Sequence, residues 1–316
     1  MPCCPHICVK AMRYLRDVAI AMLLAVSVGI IPLPALAQGG ISVWPTRVEL
    51  TVSRGASVSK TIHVENQGSE PITVKAYASD FSIDKEGDFI FSEPGHESYS
   101  ASKWLTVEKT DFELLPGGSK EVEVAISAPD EVEPGGHYTA LFFEAVPLAN
   151  QGAVSISTRI PTLFYITIPG ITGADVIANA DILSLQLPGV AGRGPVEMGV
   201  VVRNSGSVHL TVAAKAYFSA SLGGNGELDL GQIVLLPNSE ALMGGTLQGM
   251  PLFGRVKVSV VIGYLDQNGE LVNKSQTAEF WVVPWSLVGI ILGVMGLVVP
   301  AIIIIGKRYR LRLERR

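Results

Sequence analysis

The sequence predicts an all-β protein: two tandem immunoglobulin-like β-sandwiches followed by one C-terminal transmembrane α-helix. Three observations predict it. Period-two alternation of β-branched residues recurs through most of the chain, matching strings occur in the same order in its two halves, and a long uncharged apolar run lies near its end.

The apolar run reads from Trp285 to Gly306 and holds no charged side chain. About 20 apolar residues of helix cross a bilayer core. Pro300, Gly289, Gly293 and Gly296 lie inside the run, and a membrane helix tolerates such residues. The tail after it, 307–316, carries six basic residues and one acid. Clustered Lys and Arg stay on the cytoplasmic side, and Trp281 and Trp285 fall where an outer aromatic belt sits. The expectation is a span over 284–306 that crosses a bacterial cytoplasmic membrane once, with a basic cytoplasmic tail and everything before Trp285 outside. At the other end, Lys10, Arg13 and Arg16 precede an apolar stretch from Val18 to Ile31, and Ala35-Leu36-Ala37 fits an A-x-A cleavage site. The expectation is a signal peptide over 1–37, with an uncleaved anchor as the alternative and Met12 as an alternative start.

All three cysteines, Cys3, Cys4 and Cys8, lie in that leader. A disulfide framework is therefore excluded, although an exterior compartment would permit one, and stability must come from apolar cores. Of the 24 basic and 29 acidic residues, nine and two belong to leader and tail; the remaining 15 and 27 give the exterior part a net charge of −12. Nucleic-acid binding depends on neutralising phosphates, so this balance excludes that partner class. The acidic surface serves solubility.

The first exterior domain is expected over 38–170. Ile62 and Val64 alternate with polar residues, as do Ile72, Val74 and Ala76, and Val122, Val124 and Ile126. The opening strand changes parity: Ile41 and Val43 are odd, Val48, Leu50 and Val52 even. Pro45 sits at the change and cannot donate to a ladder, which suits a strand that bends or switches sheets. Glu86-Gly87-Asp88, Pro116-Gly117-Gly118 and Glu133-Pro134-Gly135-Gly136 read as turns. About seven strands result, and no soluble helix.

The second domain, expected over 171–283, repeats the plan. Val64-Glu65-Asn66-Gln67-Gly68-Ser69 aligns with Val202-Arg203-Asn204-Ser205-Gly206-Ser207, and Thr73-Val74 with Thr211-Val212. The hairpin at Gly87 aligns with Gly226, Leu114-Leu115-Pro116 with Leu235-Leu236-Pro237, and Gly136 with Gly254. Order kept at slowly shrinking offsets implies two copies of one fold. Asn268-Gly269 predicts a two-residue hairpin. Pro169-Gly170-Ile171-Thr172-Gly173 reads as the joint between the domains.

Catalytic signals are thin. The exterior histidines, His63, His96, His137 and His209, have neither helix spacing nor a cysteine partner, so no metal site is expected. Ser57-Val58-Ser59-Lys60 matches S-x-x-K by letter, but it lies on a strand and lacks the companion motifs. Asp84, Glu86 and Asp88 lack the glycine and glutamate positions of a calcium loop and read as a solvated hairpin. There is no P-loop, dinucleotide fingerprint or G-x-S-x-G. A protein without enzymatic activity and without cofactor is the expectation.

Two families are resembled. Pro45-Thr46-Arg47-Val48 resembles the opening strand of PapD-like pilus chaperones, Val64-Glu65-Asn66 their second strand, and Leu141-Phe142-Phe143-Glu144-Ala145-Val146-Pro147 their penultimate one. Arg159-Ile160-Pro161-Thr162-Leu163-Phe164-Tyr165 is similar to their final strand. The resemblance implies an arginine on the first strand and a lysine on the last that bind the C-terminal carboxylate of a pilus subunit. Arg47 matches the first position, while the second holds uncharged Thr162. Trp104-Leu105-Thr106-Val107, Phe112-Glu113-Leu114-Leu115-Pro116-Gly117-Gly118 and Pro134-Gly135-Gly136-His137-Tyr138 resemble the first domain of WxL-interacting surface proteins. That resemblance implies leader, two sandwiches, membrane helix and basic tail, with cell-wall polymer and surface proteins as partners.

Two functions follow as expectations. One is a membrane-tethered module that holds a surface protein or cell-wall polymer. The other is an assembly chaperone for pilus or surface proteins that donates a strand. The donating strand would be the last of domain one, where Val154, Ile156 and Ile160 alternate with Ser155, Ser157 and Arg159. The candidate binding residues are thus Arg47, Thr162, Ile156 and Ile160. The topology has a direct check: protease added to spheroplasts should digest the exterior domains and spare a tag placed after Arg316, and loss of that tag contradicts the orientation.

Overall fold

The structure is a computed structural model that describes residues 40–147, 157–170, 176–192, 194–221 and 223–313. Residues Ile41–Arg316 form one compact unit. The expected signal peptide, Val154, Ile156 and the part of the joint from 171 to 173 lie outside the described residues.

The first sandwich is built from β1 (Ile41–Trp44), β2 (Arg47–Thr51), β3 (Ser57–Asn66), β4 (Ile72–Ile83), β5 (Phe89–Ser92), β6 (Leu105–Val107), β7 (Asp111–Leu114), β8 (Ser119–Ser127), β9 (Gly135–Pro147) and β10 (Thr158–Ile168). One sheet runs β1-β3-β8-β6; the other runs β2-β10-β9-β4-β5, with β7 also on β4. The expected sheet switch occurs at Pro45: β1 pairs antiparallel with β3, and β2 pairs parallel with β10. Odd Ile41 and Val43 and even Val48 and Val52 therefore reach the same core, which Ile62, Val74, Val124, Phe143 and Phe164 fill. Alternation puts every second side chain on one face, so a strand that changes sheets must change parity to stay buried.

The second sandwich contains β11 (Ala180–Gln186), β12 (Val190–Ala191), β13 (Val196–Asn204), β14 (Leu210–Ala220), β15 (Asn225–Leu235), β16 (Glu240–Leu247), β17 (Gly254–Leu265) and β18 (Leu271–Val282). Its sheets are β11-β13-β16 and β12-β18-β17-β14-β15. Here too the opening strand is split, with β12 parallel to the last strand, β18. Val256, Val258, Val260 and Ile262 all point into its core. Two residues after β18 the helix α1 (Trp285–Leu313) begins. It contains a window, Trp285–Ile305, long and apolar enough to cross a membrane, with mean hydropathy 2.9. The helix continues past the expected end of the span into the basic tail.

The repeat is physical. Asn66 is buried at the end of β3, and its amide donates to the carbonyls of Leu114 (3.2 Å) and Glu70 (2.8 Å) while accepting from the Gly68 N–H (2.9 Å). Asn204, buried at the end of β13, donates to Leu235 (3.0 Å) and Val208 (2.7 Å) and accepts from Gly206 (2.8 Å). Main-chain bonds from Gly117 to Asn66 and from Asn238 to Asn204 repeat as well. Gly117 and Asn238 share the left-handed conformation, φ 68° and 61°. The shrinking offset has a place: the first sandwich spends residues 93–110 on an excursion that includes β6, where the second runs straight through β15.

Three turn assignments change. Gly226 lies inside β15, and the connection matching Gly87 comes before it, where the Ala220 N–H donates to the Gly224 carbonyl. The glycine matching Gly254 is Gly135, not Gly136: each opens its long strand opposite the end of the last strand, at φ 129° and 128°. The β17–β18 loop is Gln267-Asn268-Gly269, since Asp266 and Glu270 still pair and Asn268 lacks the positive φ that a two-residue Asn-Gly turn requires. The Asp266 carboxylate accepts from Asn268 and Glu270 N–H, as Asp84 does from Glu86 and Asp88, so both acids close their own turns.

The buried amides yield a prediction. Asn66→Ala or Asn204→Ala strands one buried and one part-buried carbonyl and should cost about 1–3 kcal/mol each. Urea unfolding of the detergent-solubilised protein measures it, and a loss below about 0.5 kcal/mol would contradict the role given to these amides.

Candidate functional site

The outer face of the β2-β10-β9-β4-β5 sheet is aromatic. Tyr77 and Phe81 on β4, Phe89 and Phe91 on β5, Tyr138 and Phe142 on β9, and Tyr165 on β10 all lie there. Sheets of a sandwich normally turn polar residues outward, so an aromatic outer face needs cover. The second sandwich covers its lower half: Leu236 and Val234 pack into the cluster of Phe81, Ile83, Tyr138 and Tyr165. His209 sits with ring centroids 4.7 Å from Tyr165 and 5.6 Å from Tyr138.

Backbone contacts set the joint. The Gly136 N–H donates to the Ser207 carbonyl (2.8 Å), and the Leu242 N–H to the Lys85 carbonyl (2.8 Å). A Cβ on Gly135 would lie 2.7 Å from the Ser207 carbonyl, and one on Gly136 would lie 1.8 Å from the Tyr138 hydroxyl. These two glycines, which the sequence marked as a turn, are thus the surface on which the second sandwich rests. The Lys85–Glu240 ion pair, 3.2 Å at the β4–β5 hairpin tip, is exposed and adds little.

Arg47 faces this joint. Its guanidinium lies 4.3 Å from the Tyr165 ring centroid and pairs with Glu49 at 2.7 Å, while 36% of its side chain is exposed. Thr162 is fully buried on the opposite, core side of β10, and its hydroxyl donates to the Pro45 carbonyl (2.9 Å). The structure therefore does not bring Arg47 and Thr162 together; Leu163 is the residue in register with Arg47. Ile160 is half-buried against the core of the first sandwich, and Ile156 lies outside the described residues. The residue that sequence reasoning passed over is Arg159. It shares the odd parity of Leu163 and Tyr165, so it lies on the outer face, with its guanidinium 5.4 Å from the Phe142 ring centroid. Strand parity was the available signal.

β10 has an open edge. The Leu163 N–H donates to the Thr46 carbonyl, and the Thr167 carbonyl accepts from Val52, so odd residues of β10 turn their backbone groups toward β2. β2 pairs only with residues 163–167. Among the described residues, nothing pairs with the backbone of Arg159 and Pro161 on that side. Pro161 has no N–H to offer, as is usual for an edge strand protected against pairing.

No protein family matches the chain, and no curated protein does. Similar solved structures include the class 5 fimbriae chaperone CfaA, at 16% identity over 78% of this chain and 100% of that one, TM-score 0.39. The YadV chaperone has 13% identity over 75% and 99%, TM-score 0.42. The Salmonella enterica SafB chaperone, in complex with the SafA pilin, has 14% identity over 79% and 98%, TM-score 0.38. All three scores lie below 0.5, so the sandwich fold rests on the strand pairing above and not on these matches.

The joint has a pH signature. Burial lowers the His209 imidazole to about 4; Glu49, 4.0 Å away, opposes the shift, and Arg47 adds to it. Burial also lowers His137, against the opposing bond to the Glu133 carbonyl. Both groups bind protons more tightly in the unfolded chain. Their stabilisation is therefore complete above about pH 6.5 and declines as pH falls below it, for His209 down to about 4. The His209 share is at most about 3 kcal/mol. Urea midpoints measured from pH 7.5 to pH 4.5 should fall less steeply in His209→Gln than in the wild type; equal slopes contradict the assignment.

Proposed function

We propose that the chain is a membrane-tethered extracytoplasmic binding module, without enzymatic activity, that holds a surface protein through the uncovered upper half of the aromatic face. The observation that carries this reading is a row of side chains across β4, β9 and β10, exposed Tyr77 on buried Phe142 and then exposed Arg159, that ends at the open edge of β10. Tyr77 and Phe142 stack with ring centroids 5.5 Å apart, and Tyr77 is partly exposed. Aromatic rings and arginine are the side chains that dominate protein interfaces, because they bury much area at small entropic cost. The carbonyls of Arg159 and Pro161 can accept from an extended segment laid along the edge. The apolar window of α1 supports the tether, and the cations that follow it support a cytoplasmic tail.

A second reading, an assembly chaperone that donates β10, is favoured by the same edge. Pro161 counts against it at that position, because continuous pairing needs the N–H it lacks. Arg47 is already paired with Glu49, so a chain-end carboxylate would have to displace that partner.

Photo-crosslinking on intact cells tests the proposal. A photoreactive residue at position 77 or 159 should give an adduct, and one at Leu183, exposed on the second sandwich, should give none. A protein adduct supports the module. An adduct that collapses on digestion with wall hydrolase assigns the face to cell-wall polymer. No adduct at either position overturns the site. Arg159→Ala should lower adduct yield at position 77 by up to about fivefold, as loss of an exposed charge contact worth up to roughly 1 kcal/mol does, and most at low salt.

A further inference from the structure

Among the described residues, the end of sandwich 2 that leads into α1 is rimmed by exposed apolar side chains. Val190, Leu252, Phe253, Trp281 and Trp285 are between 48% and 63% exposed. They are neighbours in the fold. β17 begins at Gly254, opposite the last residue of β18, which places Phe253 beside the start of the helix. The Phe253 and Trp281 rings lie 6.3 Å apart, and Val190 is in register with Trp281. The closest charged side chains on these strands, Arg255 and Glu279, pair with each other.

The link to the helix is short and tied down. Val283 and Pro284 alone separate β18 from α1. The Val283 N–H donates to the Ala191 carbonyl (2.9 Å) and the Trp281 N–H to the Gly189 carbonyl (3.1 Å). Three Cα steps, from Val282 to Trp285, reach at most about 11 Å. The headgroup layer on each side of a bilayer is roughly 5–8 Å deep. A rim held this close to the start of the span lies at the depth of that layer. Tryptophan and phenylalanine with aliphatic neighbours are the side chains that settle there.

We propose that this rim is a second membrane contact: Leu252, Phe253 and Trp281 enter the headgroup layer of the leaflet from which α1 emerges and hold sandwich 2 against the lipid. The proposal rests on the membrane reading of α1, and its test separates the two. In the full chain with Cys3, Cys4 and Cys8 replaced by serine, Leu252→Cys, Ile290→Cys and Leu115→Cys each provide a single site for an environment-sensitive fluorophore. The proteins are reconstituted into phosphatidylcholine vesicles that carry nitroxide lipids, either shallow or mid-chain. The Leu252 site should lose about half its fluorescence to the shallow nitroxide, the Ile290 site a similar share to the mid-chain one, and the distal Leu115 site almost none. Phe253→Cys repeats the measurement if Leu252→Cys does not fold. Quenching at Ile290 with none at position 252 or 253 overturns the rim contact and leaves the span standing. No quenching at Ile290 overturns the span and the rim contact with it.

Discussion

The buried asparagine amide at the end of β3, with its copy at the end of β13, is the constraint on which both sandwiches depend. Each links one sheet to the strand that leaves the other, Asn66 to Leu114 and Asn204 to Leu235. Each is satisfied through both amide protons and its oxygen, which is the condition under which a buried polar group specifies a structure rather than weakening it. The described domains contain no cysteine, so no covalent link holds their sheets. Apolar packing is non-directional and sets how closely two sheets approach. The amide sets which end of one meets which end of the other.

The joint between the sandwiches depends on removing side chains as much as on adding them. Gly135 and Gly136 let the second sandwich approach the backbone of the first, and that approach puts His209 and Leu236 against Tyr138 and Tyr165. Covering the lower half of the aromatic face leaves Tyr77 and Arg159 above it. The candidate interface is therefore what the joint does not cover. Burial at the joint also keeps His209 neutral, since a charged imidazole there would lose its water, and the Glu49 carboxylate 4.0 Å away, already paired with Arg47, offsets only part of that loss.

The two ends of the two-sandwich part have different surroundings for the same reason. Sandwich 2 presents its turn-rich lower end, with Leu252, Phe253 and Trp281, at the start of an apolar helix. Sandwich 1 presents its upper end, with exposed Leu115, away from it. One fold used twice thus leaves apolar surface exposed in two places, with different surroundings for each copy.

The strand period, the duplication, a bend or sheet switch at Pro45 and the uncharged apolar run were legible in the sequence. Each is a local property: alternation, a missing N–H or a run of composition shows in a few neighbouring residues. Tertiary structure decided the rest. Parity alone puts Thr162 and Arg159 on opposite faces of one strand, but pairing with β2 and β9 is what sets Arg159 on the same outer face as Arg47. Leu115 and Leu236 occupy the same place in the repeated Leu-Leu-Pro string, but Leu115 is 71% exposed and Leu236 1%. Their local sequences are equivalent. What separates them is the docking of one sandwich on the other, which brings a second surface to Leu236 and none to Leu115, and burial depends on that second surface rather than on the residue.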